Sequence, residues 1–117
     1  MPTARQLYVE RILDLYRRTP GTSGAVRRAD RHLATVLYQR QVSESLVATA
    51  LLVATARRTR RPDDAPPLRP IATLHYFLPV IDELLANPID PDYLYCLRIR
   101  LADLTPAFVA AIDHHLP

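Results

Sequence analysis

The sequence has no lysine and no tryptophan, and only one cysteine, one methionine and two glycines among its 117 residues. Each shortage excludes something. A lone Cys96 rules out an internal disulfide framework. Gly21 and Gly24 flank a single turn, which leaves no Gly-rich phosphate loop and no nucleophile elbow. Two glycines are also too few for a protein built of β-hairpins, whose tight turns need positive φ. The longest nearly uncharged apolar stretch, Leu46–Ala56, covers eleven residues, and a membrane span needs about 20. Arg5, Glu10, Arg11 and Asp14 break up any apolar run near the start, so no signal peptide is expected and the expected location is cytoplasmic.

What is present points to helices. Nearly half of the residues are hydrophobic, at 49%, which suits a globular chain rather than a disordered one. Eleven prolines fall between apolar segments, where they bound helices and stiffen connectors. The length suits one domain. The expected fold class is all-α: a compact bundle of five or six short helices around one apolar central helix, about residues 44–61.

The charge is unevenly laid out. All fifteen cations are arginine. Residues 1–61 hold twelve of them against four acids, an excess of eight positive charges. Residues 62–117 hold three arginines against eight acids, an excess of five negative charges. Opposite signs in the two halves suggest a polyanionic partner for the first half. The plainer alternative is that the halves neutralise each other.

Along the chain, Leu7, Tyr8, Ile12, Leu15 and Tyr16 recur at helical spacing and predict a first helix over about 3–18. After the break at 19–24, Val26, Ala29, Leu33, Val36 and Leu37 predict a second helix over about 25–41. Ser43 is a good N-cap for a third, about 44–61, whose middle is apolar nearly all round and is therefore expected at the centre. Pro62 ends it, and residues 62–70, PDDAPPLRP, read as an extended connector strapped over the surface. A helix reaching Ala86 follows, with Pro79 expected to kink it or to start a new one. Its apolar face is Leu74, Phe77, Leu78, Ile81 and Leu84, and His75 with Tyr76 is expected to close the bundle beneath the strap. Asp90-Pro91 and Thr105-Pro106 each begin a further helix, one burying Leu94, Leu97 and Leu101, the other Phe108, Val109, Ile112 and Leu116.

The stretch LATVLYQRQVSESLVATAL, residues 33–51, resembles the Leu-Ala step, turn and Ser-capped second helix of helix-turn-helix proteins. It departs from that pattern in a longer step to Ser43 and in lacking the turn glycine. Its second helix carries few polar side chains for a groove, so a core αα-hairpin describes the pair better. PPLRPIATLHYFLPVIDELL, residues 66–85, resembles a segment of uncharacterised helical, helix-turn-helix-like proteins associated with bacterial replication or mobile elements. That resemblance covers about a sixth of the chain and carries no residue of known role. It implies nucleic-acid metabolism.

The arginines make a separate argument. Arg57, Arg58, Arg60 and Arg61 crowd five residues, and Arg27, Arg28 and Arg31 form a second cluster. Guanidinium groups match phosphate oxygens through paired hydrogen bonds, and four at one helix end exceed what complements the helix dipole. Those seven are the candidate nucleic-acid contacts. Tyr8, Tyr16 and Tyr38 are candidates for stacking on bases, although at helical spacing such residues usually line a core edge.

No catalytic constellation is present. His32, His75, His114, His115 and Cys96 lack metal-ligand spacing, and Asp82-Glu83 reads as a solvated face. Cys96 reads as a small buried hydrophobe. The expectation is a non-enzymatic nucleic-acid-binding protein, in its more specific form a small helical subunit of a nucleoprotein complex, with DNA or RNA as partner and no cofactor, metal or membrane. The acidic half would face away, or meet a protein partner or a second copy. The alternative is a helical adaptor or self-associating module without nucleic-acid binding.

Overall fold

Ten successive residues, Val47 to Ala56, are buried, so the helix that carries them is enclosed on every side. The computed structural model describes residues 1–117. It contains six α-helices: α1 (Ala4–Arg18), α2 (Arg28–Gln39), α3 (Glu44–Thr59), α4 (Leu78–Ala86), α5 (Pro91–Leu104) and α6 (Pro106–Ile112). Short 3₁₀ turns at Leu74–Phe77 and Asp113–His115 precede α4 and follow α6. The expected all-α bundle around residues 44–61 is what the chain forms.

α3 is the axle. α1 packs on it from one side, and α4, α5 and α6 pack on it from others. Leu51 and Leu52 have no exposed surface, and burying such a side chain contributes about 1.5–3 kcal/mol. The two buried threonines of α3 cost little, because their hydroxyls donate back to carbonyls four residues earlier, Thr49 to Ser45 at 2.8 Å and Thr55 to Leu51 at 2.7 Å. The core continues through Tyr16 of α1, Leu33 and Leu37 of α2, Phe77, Ile81, Leu97, Leu101 and Ile112.

Helix starts follow local chemistry. Thr3, Ser43 and Asp90 cap α1, α3 and α5 through their side-chain oxygens. Pro79 lies in the first turn of α4, where its missing N–H is harmless, so the predicted break there is a 3₁₀ turn running into a new helix. Two expectations need correction. α2 begins at Arg28, not near residue 25, because Ser23 donates its N–H to Ile71 at 3.0 Å and Ile71 donates to Gly21 at 2.7 Å. That parallel bridge holds the preceding residues extended. α2 and α3 also do not form an αα-hairpin: α2 packs on α1 and on the 3₁₀ turn instead of lying along α3. The missing turn glycine is replaced by Gln41, which ends α2 in the left-handed region at φ 61°.

Candidate nucleic-acid interface

The connector between α3 and α4 ties together the two elements that carry the arginine clusters. It leaves α3 at Pro62, folds back, and is bonded through Ile71 to the loop that precedes α2. Arg58 fastens its middle. One guanidinium nitrogen donates to the Arg69 carbonyl at 3.2 Å, another to the Tyr76 hydroxyl at 3.3 Å, and the group sits 5.6 Å from the centre of the Tyr76 ring. Four residues past Arg69, the buried Asp30 carboxylate accepts from the Thr73 hydroxyl at 2.9 Å and the Leu74 N–H at 2.8 Å. Its other oxygen accepts the Arg27 N–H at 2.9 Å. A continuous run of contacts therefore links Arg58, the strap, Asp30 and Arg27.

Burial alone would raise the Asp30 carboxyl. The Arg27 and Leu74 N–H groups and the Thr73 hydroxyl outweigh it, and the group is held below the usual carboxylate range. Asp30 is thus an anion whose lone pairs are spent inside the fold and are closed to the arginines around it.

The seven predicted arginines fall into three groups. Arg31 and Arg57 are paired within the chain, Arg31 with Glu10 at 2.5 Å and Arg57 with Glu83 through two bonds of 2.6 and 2.8 Å. The bidentate pair raises the Arg57 guanidinium and lowers the Glu83 carboxyl, chiefly through its hydrogen bonds. Arg58 is committed to Tyr76 and the strap. Arg27, Arg28, Arg60 and Arg61 have no acidic partner. Arg69, in the strap itself, is a further unpaired cation that the sequence clusters omit.

Neutralisation between the two halves is partial. It runs through Arg40 with Asp82 at 3.3 Å and Arg57 with Glu83, so the acidic pair lies on a solvated face as expected and also carries ion pairs there. Arg11 meets Glu44, Arg17 and Arg18 share Asp14, and Arg98 meets Asp113 within their own halves. No family model, curated protein or solved structure matches this chain. The candidate site therefore rests on its own geometry.

The tyrosines sort differently from expectation. Tyr16 is fully buried, edge-on to Phe77 at 6.1 Å. Tyr8 is buried and donates to the Val42 carbonyl at 2.7 Å, and burial pushes its phenol up to about 12, with Glu44 adding to the effect. Of the three stacking candidates only Tyr38 keeps an exposed ring. Tyr76, expected beneath the strap, is exposed, as is His75, and Phe77 closes the core there instead.

Three other placements correct the sequence reading or sharpen it. Cys96 is exposed, because Leu94, Leu97 and Leu101 take the inner face of α5 and turn it outward. His115 lies 3.5 Å from Glu44. The histidines, Cys96 and the acids do not converge: no three come together in an arrangement that would hold a metal ion. No helix is long and apolar enough to cross a membrane.

Sequence reasoning missed Asp30 and Arg69. Asp30 had a legible signal, since an acid three residues after the N-cap is the spacing of a capping box. Arg69 had none, because its neighbours come from the return of the strap.

Proposed function

We propose that this chain is a non-enzymatic nucleic-acid-binding protein that holds phosphates through Arg27, Arg28, Arg60 and Arg61, aided by Arg69, with Arg58 fastening the strap between them. The carrying observation is the tethering of two separate clusters by one strap while these guanidinium groups are left without acidic partners. Arginines left without acidic partners on the two elements that the strap joins suit a phosphate backbone, which presents charge repeatedly and accepts bidentate hydrogen bonds. Arg31 and Arg57 contribute only by exchanging Glu10 and Glu83 for phosphate. Because their present pairs are exposed, that exchange costs little. α3 takes no part as a recognition helix, since its middle ten residues are buried, and the reading is one of backbone contact without groove insertion.

Fluorescence anisotropy with short DNA and RNA at about 50 and 200 mM salt tests this. Replacing Arg28, Arg60 and Arg61 together with glutamine should weaken binding and lower the slope of log K against log salt by about 2 to 3. An unchanged affinity and slope would remove these residues from the interface.

The adaptor reading has one observation in its favour. α5 turns Tyr95, Cys96 and Ile99 outward, with Tyr95 at 60% and Ile99 at 53% exposure, between Asp92 and Asp103. An apolar stripe edged by acids suits a protein partner in the acidic half. Light scattering with and without Ile99→Asp checks for self-association through it.

A further inference from the structure

The strap does more than tether. Leu68 stands on it at 45% exposure, and around Leu68 and Arg58 open three shallow hollows of about 410, 480 and 250 Å³. The first lies between the end of α3 and the start of α4. It is floored by Ala54 and Val80, walled by Leu68 and Tyr76, and rimmed by Arg57, Arg58 and Arg61. Its size falls within the range of ligand sites, about 300–1,000 Å³.

Tyr76 gives this hollow a fixed aromatic wall. Its ring is 43% exposed, yet it is braced edge-on against the fully buried Phe77 at 5.1 Å, and Phe77 in turn meets Tyr16. Arg58 holds the ring from above. An exposed aromatic ring fastened to the core, beside the unpaired Arg61, combines the two elements of single-strand recognition: a stacking platform and a charged path for the backbone. A phosphate-only surface has no use for Leu68, Val80 and Tyr76. A duplex has no base to place against them, because its bases are stacked inside.

We propose that this hollow seats one unpaired base of a single-stranded nucleic acid against Tyr76 and Leu68, with the adjoining phosphates on Arg61 and Arg60. The inference rests on the nucleic-acid reading above and adds the strandedness of the ligand and the residue that selects it. Arg58 is a positioning residue here, since it orients the Tyr76 ring and keeps the strap in place.

The test is anisotropy with a fluorescein-labelled single strand and with a duplex of the same length at equal salt, using the full chain. The single strand should bind more tightly. Tyr76→Ala should cost it roughly tenfold and leave duplex binding and the salt slope unchanged. Tyr76→Phe, which keeps the ring face, should retain single-strand affinity. Tyr76→Leu, which keeps apolar bulk without the ring, should lose it, and melting curves confirm that each variant is folded. Equal losses on both ligands, or none on either, overturn the base-seating site while arginine-dependent binding still stands. An absence of binding to any strand at low salt overturns both readings.

Discussion

The carboxylate of Asp30 accepts the Leu74 N–H at 2.8 Å across 44 residues of chain. With the Arg27 N–H and the Thr73 hydroxyl on the same group, this buried anion fixes the start of α2 against the turn that leads into α4. It sets where the strap ends and hence where the arginine clusters lie relative to each other.

Asp30→Asn should therefore destabilise the fold by about 1–3 kcal/mol, because an amide satisfies the three donors less well than a carboxylate. The pH dependence has a defined sign. The folded carboxyl titrates below its ordinary value, so its stabilisation is complete above about 4 and is lost as the pH falls through the lower, folded value. Urea midpoints between pH 7 and pH 2.5 should drop for the native chain and drop less for Asp30→Asn. Parallel curves would show that Asp30 does not carry the acid sensitivity.

The two buried tyrosines should respond in opposite ways to loss of the hydroxyl. Tyr8 donates to Val42, and Tyr8→Phe should cost about 1 kcal/mol. The Tyr16 hydroxyl is buried without a partner, so Tyr16→Phe should be neutral or stabilising by up to about 1 kcal/mol. Both phenols titrate above the ordinary value, Tyr8 near 12, burial being the larger cause. Their contribution is full below about pH 10 and is lost as the pH climbs toward the folded values. Alkaline melts of the two variants against the native chain read this directly.

Much of this architecture was legible because its determinants are local. Proline and cap residues fixed the starts of α3, α5 and α6, and the apolar middle of α3 marked the axle. What escaped is non-local. The start of α2 depends on Ile71, and the Arg31–Glu10 and Arg57–Glu83 pairs span 21 and 26 residues. A charge tally gives every arginine equal weight, but the fold commits Arg31, Arg57 and Arg58 and leaves Arg27, Arg28, Arg60 and Arg61 without an acid. Tyr76 looked like core because it lies between Leu74 and Phe77 in an apolar run. A 3₁₀ turn, with three residues per turn, sends positions 74 and 77 inward and 76 outward.

Removing an intramolecular competitor should strengthen the proposed function. Glu83→Gln breaks the bidentate pair with Arg57, a residue that lines the Tyr76 hollow, and so frees that guanidinium of its negative partner. Nucleic-acid affinity at low salt should rise, with the salt slope increasing by no more than one contact, about 0.7–0.9. Stability should change little, since the pair is exposed to water. A fall in affinity would mean that Arg57 acts only by anchoring α4, and that the rim of the hollow faces no phosphate.

The two glycines separate strain from position. Gly21 and Gly24 both take positive φ, 89° and 82°, so alanine at either should cost about 1–2 kcal/mol of backbone strain. Their surroundings differ. A Cβ at Gly24 meets nothing within 4 Å, whereas one at Gly21 lies 3.1 Å from Nε and 3.2 Å from a terminal nitrogen of Arg58. The long Arg58 side chain yields to that crowding at small cost, but a shift of a few tenths of an ångström stretches its bonds to the Tyr76 hydroxyl and the Arg69 carbonyl, already 3.3 and 3.2 Å long. Gly21→Ala and Gly24→Ala should accordingly melt at similar temperatures, both below the native chain. Only Gly21→Ala should also weaken single-strand binding, because only there does the new methyl group crowd the guanidinium that orients the stacking ring. Equal binding by the two variants would show that the placement of Arg58 is immaterial to the ligand, and would leave the hollow's selectivity to Tyr76 and Leu68 alone.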